Sequence, residues 1–241
     1  MENCLDIVLP CYNPLDGWEV RINRSIKNLN EILPDLNINL IVVNDGSPNI
    51  EQSSIDYLFK NLKSFQFNSY NENKGKGFAL RKGLEYATSE IIIYTDVDFP
   101  FEEINIVEIY NKLKGKEADI IVGVRDQSYY STVPKTRILI SKIFKYFSAK
   151  LLNLSVTDTQ CGLKGFNNLG KSIYSETTIN RYLFDLEFIY LACKRKGVKL
   201  ISHQVSLRKG VTFSNLNIKI LTIESLSFFR ILIFHFFNLK R

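Results

Sequence analysis

Short apolar runs, each stopped by a polar loop and separated from the next by a helical pattern, constrain this chain more than any other feature. Residues 5–9, 39–44, 65–70, 90–94 and 118–122 read as strands. Between them, residues 20–33, 53–62, 77–87 and 101–113 carry helical spacing, as in Ile22, Ile26, Leu29 and Leu33. This β-α alternation predicts an α/β fold with a mostly parallel sheet and helices on both faces. In such sheets ligands bind at the carboxyl ends of the strands. The loops that follow the apolar runs are therefore where chemistry is expected.

The second half is less regular. Residues 136–154 form a basic, apolar helix candidate, 158–166 a polar turn leading into a short strand, 182–196 a helix and 198–207 a strand. The tail, 216–241, holds fifteen Leu, Ile and Phe residues among twenty-six. The expected division is one domain over 1–210 and an apolar, basic segment over 211–241. At 241 residues the chain is long enough to bury a full core. The four cysteines, Cys4, Cys11, Cys161 and Cys193, form no C-x-x-C pair and have no histidine nearby, which argues against structural zinc and for reduced, buried thiols. The first residues, Met1 to Asp6, lack a basic region ahead of an apolar one, so a cytoplasmic location is expected.

Four loops carry candidate chemistry. Asp96 and Asp98, one residue apart after the fourth run, would bury two carboxylates at a cost of several kcal/mol unless paired. A divalent cation removes that cost, and Mg²⁺ or Mn²⁺ bridges such carboxylates to substrate phosphates. After the first run, Pro10-Cys11-Tyr12-Asn13-Pro14 offers an aromatic ring with a polar tip, suited to a nucleobase or ribose. After the second, Asp45 offers a hydrogen-bond acceptor and Gly46 allows close backbone approach. The stretch from Asn73 to Gly77, with Lys76, suits a phosphate at a helix N-terminus but lacks the spacing of a Walker loop. Each loop alone is also an ordinary turn; their order after successive strands is the stronger signal.

The set Leu-Pro-Cys-Tyr-Asn-Pro, Val-Asn-Asp-Gly-Ser-Pro, Asn-Lys-Gly-Lys-Gly and Thr-Asp-Val-Asp resembles family 2 glycosyltransferases. The segments 158–166 and 180–187 sharpen the resemblance to polyprenyl-phosphate hexosyltransferases, and within them to dolichyl-phosphate β-glucosyltransferases. It covers roughly residues 4–208 and implies a GT-A fold, a sugar-nucleotide donor (a UDP-hexose ahead of a GDP-hexose) and a metal cofactor. By the same resemblance Pro10, Tyr12, Asn13, Asp45, Gly46, Lys76, Asp96 and Val97 line the nucleotide-sugar pocket. Asp98, with Asp96, holds Mg²⁺ or Mn²⁺ on the diphosphate. Arg125 and Arg137 hold an acceptor phosphate, and Asp158 and Gln160 sit beside sugar and acceptor. Phe99-Pro100 departs from the common Gln or Gly-Ala after the acidic pair, which puts a third ligand from that loop in doubt. Asp158 is either a general base, an orienting group or a turn cap.

The net charge of +6 needs a partner class. Residues 127–157 hold no Asp or Glu, while Lys135, Arg137, Lys142, Lys145 and Lys150 accompany an apolar stripe. This fits a helix on an anionic bilayer surface, or the solvated face of a core helix. The longest uninterrupted apolar run of the tail, 231–234, is far short of the ~20 residues a spanning helix needs. Interfacial helices presenting Phe228, Phe229, Phe236 and Phe237 are expected, with packing on the core or on a second copy in an oligomer as the alternative. No nucleic-acid-binding signature accompanies the charge. The expected function is inverting transfer of glucose from UDP-glucose to a polyprenyl phosphate at the cytoplasmic face of a membrane. The alternatives are transfer to a glycan hydroxyl and an inactive sugar-nucleotide-binding module.

Overall fold

The structure, a computed structural model, describes residues 3–125, 150, 152, 154–156, 158–181, 183–208, 228 and 231–233. Arg137, most of the basic segment 136–154 and nearly all of the tail beyond 208 lie outside the described residues.

Nine residues or fewer per strand suffice to build the sheet. Strands β1 (Cys4–Cys11), β2 (Asn37–Asp45), β3 (Phe65–Tyr70), β4 (Ile91–Tyr94), β5 (Ile120–Arg125), β6 (Lys164–Phe166) and β7 (Leu200–Val205) lie in the order β3-β2-β1-β4-β6-β5-β7. β1 pairs in parallel with both β2 and β4, β2 with β3, and β5 with β7. Only β6 runs against its neighbours β4 and β5. The central strands are buried on both sides, which is why β4 reads Ile-Ile-Ile-Tyr without alternation.

Helices cover both faces. On one, α1 (Trp18–Ile32), α2 (Gln52–Asn61) and α4 (Glu103–Lys114) pack Ile22, Leu29, Leu58 and Ile109 onto Leu5, Ile7 and Leu9 of β1. On the other, α3 (Lys76–Tyr86), α5 (Asn168–Ser175) and α6 (Phe184–Lys194) pack onto Val8, Ile92 and Tyr94. β1 thus sends alternate side chains to opposite layers, as a strand must. Within the described stretches 3–125 and 158–208, the expected strands and helices are present with ends shifted by at most three residues. α5 was not among them. Asn167 caps it, its side chain accepting from the amides of Leu169 and Gly170.

Two features of this topology place the site. The chain turns from β1 toward β2 and β3, then returns through α3 to add β4 on the other side of β1, so the loops after β1 and β4 splay apart in a crevice. Because β6 is antiparallel, its starting end lies at the same edge as the finishing ends of β4 and β5: Lys164 sits beside both Tyr94 and Val122. Residues 158–163 are thereby delivered to the crevice.

Leu152, Val156 and Ile231 are buried in the α3-side core, with Leu154, Phe228 and Leu232 packed at its margin. These described parts of the basic segment and the tail rest on protein. No helix among the described residues is long and apolar enough to cross a membrane.

Candidate active site

The crevice is assembled from five loop segments. At the end of β1, Pro10 is buried, Tyr12 is half exposed and Asn13 takes a left-handed backbone (φ 45°). The Asn13 amide donates to Ser47 Oγ (2.9 Å), which ties the first loop to the second.

Asp45, at the end of β2, is buried and is the hub of its side of the crevice. Its Oδ1 accepts from the Tyr70 hydroxyl (2.7 Å) and the Lys74 amide (2.8 Å). Its Oδ2 accepts from the Asn73 side chain and the Gly75 amide, both at 2.9 Å. A carboxylate offers about four acceptor sites, so Asp45 is spent on the 70–75 loop. Gly46 (φ 70°) completes the joint: a Cβ there would lie 2.5 Å from the backbone carbon of Glu72. The close approach expected at this glycine is that of the protein's own loop.

The helix end at Lys76 differs from the expectation in the same way. The amide of Gly77 donates to the carbonyl of Asn180 (2.7 Å), as does that of Phe78 (3.3 Å). With Gly75 already bonded to Asp45, the amides of 75, 77 and 78 are committed within the protein, and little of the α3 terminus is left for a phosphate. What faces the crevice is the Lys76 side chain. It forms an ion pair with Asp96, both side chains remaining about a third exposed. Burial works to discharge Lys76, but Asp96, Asp185 and Asp98 outweigh it and hold the ammonium above its ordinary value.

Asp96, Val97 and Asp98 follow β4 directly and are partly exposed. Burial, and then the charge of Asp96, push the Asp98 carboxyl above the usual range, against the opposing pull of Lys76 and of Arg21 on α1. Phe99 then turns back into the core through a left-handed backbone (φ 47°). The strand-like segment beyond is strapped down by Arg208, whose amide donates to the Pro100 carbonyl (2.9 Å) and whose Nε donates to that of Phe101 (3.0 Å). Phe99-Pro100 thus anchors the acidic turn and brings no carboxylate, imidazole or thiolate side chain to it.

On the far side, Arg125, the last residue of β5, grips Asp158 with two prongs, Nε to Oδ2 (2.9 Å) and Nη2 to Oδ1 (2.7 Å). Asp158 is 1 % exposed. Two residues on, Gln160 Nε2 is buried without a hydrogen-bond partner, as are the hydroxyls of Thr95 and Thr159. Such atoms cost about 1–3 kcal/mol each when left unmatched. Gly162 lies against Asp96 so closely that a Cβ would come within 2.5 Å of Oδ2.

Residues suited to a divalent cation are therefore Asp96 and Asp98, a like-charged pair in which Asp98 is already pushed toward protonation. Among the described residues no group of three His, Cys, Asp or Glu side chains converges, so a cation here needs oxygen ligands from a substrate, as Mg²⁺ commonly takes from phosphates. The sequence did not single out Arg21, Thr95, Lys164 or Asp185. The one available signal was Lys164, a lysine inside the apolar stretch Leu163-Lys164-Gly165-Phe166.

The family model for glycosyl transferase family 2 matches residues 6–168. A dolichyl-phosphate beta-glucosyltransferase of Dictyostelium discoideum is 29 % identical over 203 residues, covering 79 % of this chain and 62 % of the relative. The human enzyme of that name is 27 % identical over 78 % of this chain and 62 % of its own length. This chain thus spans under two thirds of either relative. Among solved structures, glucosyl-3-phosphoglycerate synthase of Mycobacterium tuberculosis, in complex with Mn²⁺, UDP and phosphoglyceric acid, superposes with a TM-score of 0.62 at 15 % identity, covering 96 % of this chain and 78 % of the other. Mannosyl-3-phosphoglycerate synthase of Rubrobacter xylanophilus does so at 0.65 and 17 %, covering 95 % and 72 %. These two establish likeness of fold, the GT-A architecture. With its loops ordered around an acidic pair at the switch point of such a sheet, the chain belongs to glycosyl transferase family 2.

Proposed function

We propose that this protein is an inverting, metal-dependent hexosyltransferase that moves glucose from UDP-glucose to a polyprenyl phosphate. The observation that carries the reading is the Asp96/Asp98 pair at the end of β4, with Lys76 paired to Asp96 and Gly162 packed on the Asp96 carboxylate. A bound Mg²⁺ or Mn²⁺, held by Asp98 with Asp96 beside it, would supply Lewis-acid stabilisation of the charge developing on the departing diphosphate. Tyr12, half exposed at the mouth, would stack on the uracil, and Lys76 would lie along the phosphates. Thr95, Thr159 and Gln160 are the groups available to sugar hydroxyls.

The acceptor follows from the state of Asp158. A carboxylate whose two oxygens are both engaged by one arginine is held in place rather than turned toward an acceptor hydroxyl. A hydroxyl acceptor requires a base, whereas a phosphate is already anionic near neutral pH. Asp158 is then the orienting group for Arg125, and Arg125 with Arg137 would receive the acceptor phosphate. The names of the similar dolichyl-phosphate glucosyltransferases support the same choice. In this reading the protein sits peripherally on the cytoplasmic face of its membrane, with 211–241 as its interfacial segment.

The test is incubation of the pure protein with radiolabelled UDP-glucose or GDP-mannose, Mg²⁺ or Mn²⁺ and a short polyprenyl phosphate. Label should pass from UDP-glucose into the chloroform phase. Label entering only water-soluble glycan would favour the hydroxyl acceptor, and nucleotide binding without turnover would reduce the protein to a binding module.

A further inference from the structure

Below the acidic pair lies a second ion pair. Lys164 Nζ stands 2.7 Å from Asp185 Oδ1, with the lysine wholly buried and the aspartate 5 % exposed. The Tyr94 hydroxyl donates to the same Asp185 oxygen, and the ammonium sits 5.5 Å from the centre of the Tyr94 ring. Fold stability alone does not call for this. Exchanging a buried ion pair for packed apolar side chains is often neutral or stabilising.

The ammonium has another contact. Lys164 Nζ donates to the carbonyl of Cys161 at 2.6 Å. That carbonyl belongs to the peptide leading into Gly162, the residue packed on the Asp96 carboxylate. One residue further, the Leu163 carbonyl accepts from the Gly123 amide (2.9 Å). The 161–163 turn is therefore held from the core by Lys164, from β5 by Gly123, and rests on Asp96 at its outer side. Charges of alternating sign, Asp96, Lys76, Asp185 and Lys164, run from the crevice into the core.

We propose that Lys164 and Asp185 are positioning residues for the acidic pair, setting the 161–163 turn against Asp96 from beneath. This rests on the metal-dependent reading of Asp96 and Asp98 given above. Neither residue touches the reacting groups. Lys164 acts through the Cys161 carbonyl on the turn that rests on Asp96, and Asp185 acts by holding Lys164.

The double variant Lys164→Met/Asp185→Asn removes both charges at nearly constant volume and leaves no buried ion unpaired. Its Mn²⁺ affinity in the presence of UDP, followed by the electron paramagnetic resonance of free Mn²⁺, should fall about tenfold or more, as for lost supports of metal ligands. UDP binding without metal should stay as in the wild type. Gly162→Ala keeps the ion pair, crowds Asp96 directly, and should give the same loss should the double variant fail to fold. Wild-type Mn²⁺ affinity in a folded variant of either kind would overturn the positioning role. Failure of the wild-type protein itself to take up Mn²⁺ with UDP would instead overturn the metal-dependent reading on which it rests.

Discussion

The two sides of the crevice are finished to different degrees. On the β2–β3 side, Asp45 is saturated by the Tyr70, Asn73, Lys74 and Gly75 donors, and the α3 amides are bonded to Asn180. On the β4–β6 side, Thr95, Thr159 and Gln160 carry buried polar atoms without partners, and Asp98 is pushed toward protonation. Asn68 Nδ2 on β3 is also buried without a partner, so neither side is wholly matched, but the Asp45 carboxylate is satisfied within the protein whereas the β4–β6 side gathers three such atoms. Buried polar groups are paired in nearly all native structures, so this contrast is one that substitutions can test.

Substitutions on the two sides should therefore fail differently. The largest effect is expected at Asp98: Asp98→Ala should lower kcat by about 10³-fold or more, in the range seen when a group stabilising developing charge is removed, while the melt stays cooperative. Unimpaired metal-dependent turnover would break the assignment of that side. Next comes Asp45→Ala, which orphans four donors and should cost about 3–5 kcal/mol in urea unfolding, with nucleotide affinity lost as the loop loosens. A stable variant with selective loss of affinity would mean that Asp45 meets the ligand directly. Thr95→Val is smaller. It deletes an unmatched hydroxyl, so stability should hold or rise, while kcat/KM for the sugar nucleotide falls by up to about tenfold, equivalent to one hydrogen bond.

The smallest effect concerns the metal-free protein. Asp98 binds its proton more tightly folded than unfolded, so it subtracts from stability as pH rises through its raised pKa. Asp98→Asn should then raise the melting temperature at neutral pH by on the order of 2 °C and flatten its decline above the ordinary carboxylate range. A lowered melting temperature would show that Arg21 and Lys76 already compensate the charge.

Local patterns made most of the elements legible, because a strand or helix advertises its period within about ten residues. The parallel sheet and the edge at which the loops gather followed from the alternation alone. What the pattern did not carry was pairing at a distance. Arg125 and Asp158 lie 33 residues apart, and each reads as an independent polar residue until β6 runs antiparallel and brings them together. Asp45 was legible as important, but whether it faces a ligand or its own loop depends on where residues 70–75 return. The helix α5 was missed because only Ile173 and Tyr174, beside Gly170, mark its buried side, while Leu169 faces out. Lys164 left only one signal, a charge inside an apolar stretch, because a three-residue strand between two others has no period to violate.

That three-residue strand also bears on the order in which the molecule is made. β6 joins the sheet between β4 and β5, yet it leaves the ribosome some seventy residues after Tyr94, its register partner. Strands β1 to β4 and helices α1 to α3 can form on the nascent chain, Asp45 hub included, while the centre of the sheet still lacks its insert. Closing that gap is a long-range contact, costly in loop entropy and slow. During synthesis the edge of β4 stays open, and pulse-labelled hydrogen exchange should find β1 and β2 protected well before β6. The nascent protein completes the Asp45 side of its crevice first and receives the 158–163 segment beside Asp96 last.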